Sequence, residues 1–115
     1  MWKETNIKWS QKIYDVMNPE EDFGVVDLHG LCKWGARYMF QSYLNTIHKG
    51  LYKGWIHPNY GSIHYVKVIA GAGWHTAGGK DKAVLKNMVC DFLKYGKYVF
   101  LSEFEKGVFL IKLEI

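Results

Sequence analysis

The sequence lacks the features that mark chains without an ordinary folded core. It has only two prolines in 115 residues, with apolar residues at 49% and aromatics at 17%. That excludes a collagen-like, low-complexity or disordered chain. No apolar run approaches the roughly 18 residues that a membrane span requires, and Met1 to Lys12 lacks the apolar segment of a signal peptide. Two cysteines, Cys32 and Cys90, are too few for a disulfide framework. They read as reduced thiols of an intracellular protein, cytoplasmic or alternatively nuclear. Folding at this length buries roughly 65% of the surface of the unfolded chain, which suits one domain without a staple.

A more pointed absence is that of acid. Lys and Arg number 15 against 11 Asp and Glu, a net charge of +4, but between Leu28 and Lys80 there is no carboxylate at all. That stretch holds Lys33, Arg37, Lys49, Lys53, Lys67 and Lys80 and every histidine of the chain: His29, His48, His57, His64 and His75. Residues 1–27, by contrast, are acidic through Glu4, Asp15, Glu20, Glu21, Asp22 and Asp27. An uninterrupted basic segment favours an anionic partner such as nucleic acid or another phosphate ligand.

Hydrophobic periodicity sets the elements. Ile7, Ile13, Tyr14 and Met17 recur at helical spacing over 4–17, ahead of a break at Asn18-Pro19. Phe23 to His29 is short, β-branched and apolar, and reads as a buried strand. Leu31, Ala36, Phe40, Tyr43, Leu44 and Ile47 mark a helix over Lys33 to His48, with Cys32 at its N-cap position and Gly50 as its expected end. Gly50 to Ser62 reads as a loop carrying Tyr52, Trp55 and Tyr60, and Ile63 to Ala70 as a second strand. Lys80 to Tyr95 is an expected helix with Val84, Leu85, Met88, Val89, Phe92 and Leu93 on one face, and Cys90 beside it. Lys97 to Ser102 and Val108 to Glu114 form a terminal hairpin. The order is a helix followed by βαβαββ, which predicts one α/β domain at 23–115 with a helical extension at 1–22. Its strand-helix-strand crossovers are right-handed and make successive strands parallel. Trp2, Trp9 and Trp34 are expected to pack, with Trp34 over the first helix, and His48, His57 and His64 to lie at the surface or in loops.

Open α/β sheets bind ligands at the carboxyl ends of parallel strands, where helices begin. The first strand ends in Asp27-Leu28-His29-Gly30 and the second runs into Gly71-Ala72-Gly73-Trp74-His75-Thr76-Ala77-Gly78-Gly79. If the two strands are neighbours, both loops share one edge. Asp27 and His29 lie two apart, hence on one face of a strand. One is an acceptor and the other exchanges a proton near neutral pH, as general acid-base chemistry or half of a metal site needs. The structural alternative is that Asp27 caps the following helix. Gly71-Ala72-Gly73 ahead of a helix suits backbone amides turned toward a phosphate. It matches neither the dinucleotide fingerprint, because Thr76 replaces the third glycine, nor the P-loop. No Cys/His cluster has zinc spacing, and one carboxylate with one histidine makes a thin site for a tightly held divalent ion such as Mg²⁺ or Mn²⁺.

These residues resemble a family. Asp27-Leu28-His29-Gly30-Leu31 opening a helix, then a strand entering Ile69-Ala70-Gly71-Ala72-Gly73-Trp74-His75-Thr76-Ala77-Gly78-Gly79, then Val84-Leu85-Lys86, are similar to a Smr (small MutS-related) domain over roughly residues 24–114. The resemblance implies a two-layer α/β fold with a mixed four-stranded sheet, like the C-terminal domain of the bacterial third translation initiation factor. It implies binding of RNA or DNA and, as in many members, DNA nicking or endoribonuclease activity. The ribosome or a larger parent protein are partners it would fit. Carried over by position, the Asp-His pair is Asp27 and His29, the glycine loop is Gly71 and Gly73, and the histidine after it is His75.

The expected mechanism has Asp27 and His29 acting on the 2′-hydroxyl, with His75 as the acid. The Gly71 and Gly73 amides, Lys33, Arg37, Lys80 and Lys82 would hold phosphate, and Trp74 would stack on a base or anchor its loop. Many members carry Arg or Lys where this chain has Ala72. That departure supports a second reading, a non-catalytic nucleic-acid-binding module in which Tyr52, Trp55 and Tyr60 stack bases between Lys49, Lys53 and Lys67. A third, an enzyme of small phosphate compounds, would use the glycine loop alone.

Overall fold

The computed structural model describes residues 4–20, 22–71 and 84–114. Its elements are α1 (Glu4–Met17), β1 (Val25–Asp27), α2 (Lys33–Lys53), β2 (Ile63–Ile69), α3 (Val84–Tyr95), β3 (Val99–Glu103), one 3-10 turn (Phe104–Lys106) and β4 (Val108–Glu114). No helix among the described residues is long and apolar enough to cross a membrane.

The four strands form one mixed sheet in the order β1-β2-β4-β3. β1 pairs parallel with β2, bringing Asp27 opposite Ile69. β4 pairs antiparallel with both β2 and β3. The terminal hairpin therefore inserts its second strand between β2 and β3, and β1, β2 and β3 all point the same way. This is the βαβαββ arrangement expected from the sequence, with a helix ahead of it.

Alternation along the strands decides which face is buried. Val26, Val66, Val68, Phe109 and Ile111 turn inward and are fully buried, packed with Ala36, Phe40 and Ile47 of α2 and Val89 and Leu93 of α3. Cys90 flanks this core, as its position beside the apolar face implied. The other face carries the row Val25, Lys67, Leu110 and Leu101, one residue from each strand, with Leu101 74% exposed. Asp27 lies between the buried Val26 and Leu28 and so belongs to that second face.

Four expectations need correction. α2 does not stop at Gly50 but continues to Lys53 and is closed by Gly54 in the left-handed region. Gly50 lies inside the helix because Ile56 folds back onto it: the Ile56 amide donates to the Gly50 carbonyl at 3.0 Å, and its side chain fills the space of a Cβ. Tyr52 is consequently a helical residue, 87% exposed. Trp34 is not packed away; it is 55% exposed on α2, because the inward face of that helix is filled by Gly35, Ala36, Met39 and Phe40. His64 is no surface histidine, since alternation in β2 turns it inward, where it is 2% exposed and its Nε2 lies 2.6 Å from the Phe23 carbonyl. β1 is also shorter than the expected 23–29. His48 is exposed and shares a 2.9 Å hydrogen bond with the Tyr98 hydroxyl.

α1 fixes the outer edge of the sheet. Ile13 and Tyr14 pack against the core, and the chain leaves the helix at Asn18, whose amide nitrogen donates to the Asp27 carbonyl at 2.8 Å while its amide oxygen accepts from the Asp27 N–H at 2.8 Å. One side chain thus supplies both bonds that a further strand would give this edge residue. Nearby, the Tyr43 hydroxyl donates to the Asp22 carbonyl at 2.8 Å, and burial first, then Tyr14 and Asp22, pushes its pKa far above the usual phenol value.

Candidate active site

At the carboxyl end of β1, the Asp27 carboxylate holds His29 twice. Asp27 Oδ1 accepts the His29 backbone N–H at 3.0 Å and lies 2.9 Å from His29 Nδ1. A carboxylate can only accept, so Nδ1 is the donor in this contact, and a neutral ring held this way has its lone pair on Nε2. The side chain of His29 is 48% exposed against 23% for Asp27. The acid is tucked against the sheet edge while the ring faces solvent, an orientation suited to taking a proton from a bound molecule.

Asp27 is therefore no helix cap. The N-cap of α2 is Cys32, whose Sγ accepts from the Gly35 N–H at 3.4 Å. That leaves Asp27 to position His29.

The neighbouring strand brings its own turn to the same place. Leu28 N–H donates to the Ile69 carbonyl at 2.8 Å, continuing the parallel ladder beyond β1. Gly71 follows with φ +85°, and a Cβ there would stand 3.2 Å from the His29 Cβ. Behind it, Gly107 is buried with φ +67°, and a Cβ on it would overlap the Gly71 backbone. The Ala70 N–H donates to the Gly107 carbonyl at 2.7 Å. The turn between β3 and β4 thus backs the end of β2 by backbone-to-backbone contact that only glycine permits.

Of the residues expected from the sequence, Asp27, His29 and Gly71 come together at this edge. Lys33 and Arg37 line an open groove of about 710 Å³ between α2 and α3, together with Gln41, Asn45, Asp91 and Tyr95. Gly73, Trp74, His75, Lys80 and Lys82 lie outside the described residues, as does Ala72. On the same edge, Lys86 of α3 lies 4.8 Å from the centroid of the Phe104 ring and donates to the Glu105 carbonyl at 3.4 Å. Among the described residues, no three His, Cys, Asp or Glu side chains gather as a metal site.

Two contributors escaped the sequence reading. Asn18 had a signal in the Asn-Pro break, which was read only as a helix stop. Gly107 had none beyond its place in a hairpin loop, because its partner lies far away in the chain. Asn18→Ala is expected to cost about 1–3 kcal/mol of stability, since it strands the N–H and carbonyl of Asp27 at a half-buried edge. Urea denaturation measures this, and an unchanged midpoint would remove Asn18 from the edge-fixing role.

No family model and no curated protein matches the chain. Solved structures do. The solution structure of the B3BP Smr domain superposes with a TM-score of 0.66 at 27% identity, covering 98% of this chain and 100% of that one. The SMR domain of NEDD4-binding protein 2 gives 0.58 at 26% identity, covering 84% and 91%. With its strand order and its leading helix, the chain has the fold of the Smr domains and matches them over nearly its whole length.

Proposed function

We propose that this chain is a nucleic-acid-binding Smr-type domain that cleaves phosphodiester bonds, with RNA as the favoured substrate. The observation that carries the reading is the Asp27–His29 pair, fixed at 2.9 Å on the ring and 3.0 Å on the backbone, with the His29 side chain 48% exposed. Cutting RNA needs a base for the 2′-hydroxyl, an acid for the departing 5′-oxygen and compensation for charge on the phosphoryl group. His29 Nε2 takes the 2′-hydroxyl proton, and the 2′-oxygen bonds to phosphorus. The bond to the 5′-oxygen breaks, and that oxygen receives a proton. Asp27 holds the tautomer and stabilises the imidazolium that forms.

His75 is the proposed acid. The amides of Gly71 and Gly73 and the side chains of Lys80 and Lys82 are the proposed phosphate contacts, with Trp74 against a base. His75 and Gly73 are carried over from the Smr resemblance, whereas Trp74, Lys80 and Lys82 are proposed from their places in and just after the glycine loop. The segment 1–22, which holds α1, is proposed as a helical extension of the Smr-like unit at 23–115.

The test is cleavage of single-stranded and structured RNA by the wild type, Asp27→Asn and His29→Ala, with and without a chelator. Cutting that depends on both residues supports the reading, and equal cutting by all three proteins overturns it. Ala72, between the two glycines, favours one rival, a module that binds without cutting. RNA retention with no cleavage by the wild type would select it.

A further inference from the structure

α2 has 21 residues and not one carboxylate. Its cations are Lys33, Arg37, Lys49 and Lys53, and it spans about 30 Å at 1.5 Å per residue. Helices of soluble proteins ordinarily mix both signs on the solvent side. Here the side away from the core carries aromatic rings instead. Trp34 is 55% exposed, Tyr38 49% and Tyr52 87%. Trp34 and Tyr38 stand four residues apart, hence on one face, with about 6 Å of axial rise between them. Lys33 Nζ lies 5.3 Å from the centre of the Trp34 ring, and the carboxylate that shares the flanking groove with Lys33 and Arg37 is Asp91 of α3.

Exposed rings of this size on an acid-free helix have no role in the core. They suit a ligand that offers flat apolar faces and negative charge together. Single-stranded nucleic acid does so, because each nucleotide presents one stackable base and one phosphate. A duplex hides its base faces, and an acidic peptide supplies the charge without the planes. The helix also begins just past Gly30-Leu31-Cys32, so its Trp34 end adjoins the Asp27–His29 edge.

We propose that the solvent face of α2 is a binding track for single-stranded nucleic acid, in which Trp34 and Tyr38 stack bases and Lys33 and Arg37 pair with the phosphates. The proposal rests on the nucleic-acid reading above and adds the strandedness of the substrate. It also assigns Trp34 and Tyr38, which that reading does not use.

The experiment uses the full chain and fluorescently labelled short oligouridine, its deoxy counterpart and an RNA duplex, with affinity read from anisotropy at several salt concentrations. Trp34→Ala/Tyr38→Ala is expected to weaken both single strands by about tenfold or more per ring, leave their salt dependence unchanged, and alter duplex affinity less than about twofold. Trp34→Phe/Tyr38→Phe keeps the planes and is expected to stay within about threefold of wild type. Lys33→Gln/Arg37→Gln is expected to flatten the single-strand salt slope by roughly 1.4 for two lost contacts. Single-strand affinity unchanged in the alanine variant, or lost equally for duplex, overturns the track. If cleavage proves independent of Asp27 and His29 while the alanine variant still loses single strands, the catalytic reading falls and the track stands. Cleavage that needs Asp27 and His29, with single-strand affinity intact in the alanine variant, removes the track alone.

Discussion

Alanine at His29 is expected to slow phosphodiester cleavage by about 10²- to 10⁴-fold, the usual contribution of a positioned general base, with affinity for uncleaved RNA within about twofold of wild type. The side chain is 48% exposed, and among the described residues its hydrogen-bond partner is Asp27, so truncation is expected to leave few unpaired groups. Loss of rate without loss of fold is therefore the outcome to look for. Asp27→Asn should preserve the shape of the turn, because an amide oxygen can still accept the His29 N–H. It removes the charge opposite the imidazolium and permits the wrong tautomer, so a rate loss is expected there as well. The pair works as one unit, which makes the double variant no slower than the worse single one. Single-turnover rates on a synthetic RNA measure all three. The same RNA with one 2′-deoxy residue at the cut identifies the nucleophile. If cutting survives that substitution, water replaces the 2′-hydroxyl in the mechanism.

How much of this was legible beforehand depends on where the determining contacts lie. α1 at Glu4–Met17 and β4 at Val108–Glu114 have the bounds that periodicity gave, because local apolar spacing and flanking breakers are what define them. The shared edge of the β1 and β2 turns followed from topology once both strands were recognised. The misreading of His64 was local, since the alternation of β2 that turns it inward was there to read; others are non-local in origin. A glycine after an apolar helical run normally marks an end, but Ile56 occupies the missing side chain of Gly50 and the helix runs on to Gly54. Trp34 was expected to pack because large rings usually do. Gly35 and Ala36 take the inward positions instead, and the ring is left on the solvent side of an acid-free helix. Asn18 acts through its amide on a residue nine positions later, a pairing that no spacing rule encodes. The Asp27–His29 spacing conveyed the shared face. It could not decide between capping α2 and orienting His29, a choice that turned on Cys32 taking the cap.

Gly107→Ala is expected to be the most destabilising single-methyl change at this edge, costing roughly 3–5 kcal/mol, in the range that needs an identified structural cause. Two causes add here. With φ at +67° a side chain is strained whatever the space, which costs about 1–2 kcal/mol. The added Cβ would also overlap the carbonyl and amide of Gly71, and backbone cannot swing aside as the end of a flexible side chain can. Either β4 moves and the bond from Ala70 N–H to the Gly107 carbonyl breaks, or Gly71 moves and disturbs the turn beside His29. The stability loss appears in urea or thermal unfolding. The position of the damage appears in activity: protein still folded at low temperature should cleave more slowly than its stability loss explains, because the turn packed against His29 has shifted. An alanine at Gly61, also at positive φ but with no atom within 4 Å of its Cβ, carries the backbone strain alone and is expected to cost about 1–2 kcal/mol with cleavage unaffected. If the two variants lose equal stability, the contact between Gly107 and Gly71 contributes nothing and the β3–β4 turn is not what supports the site.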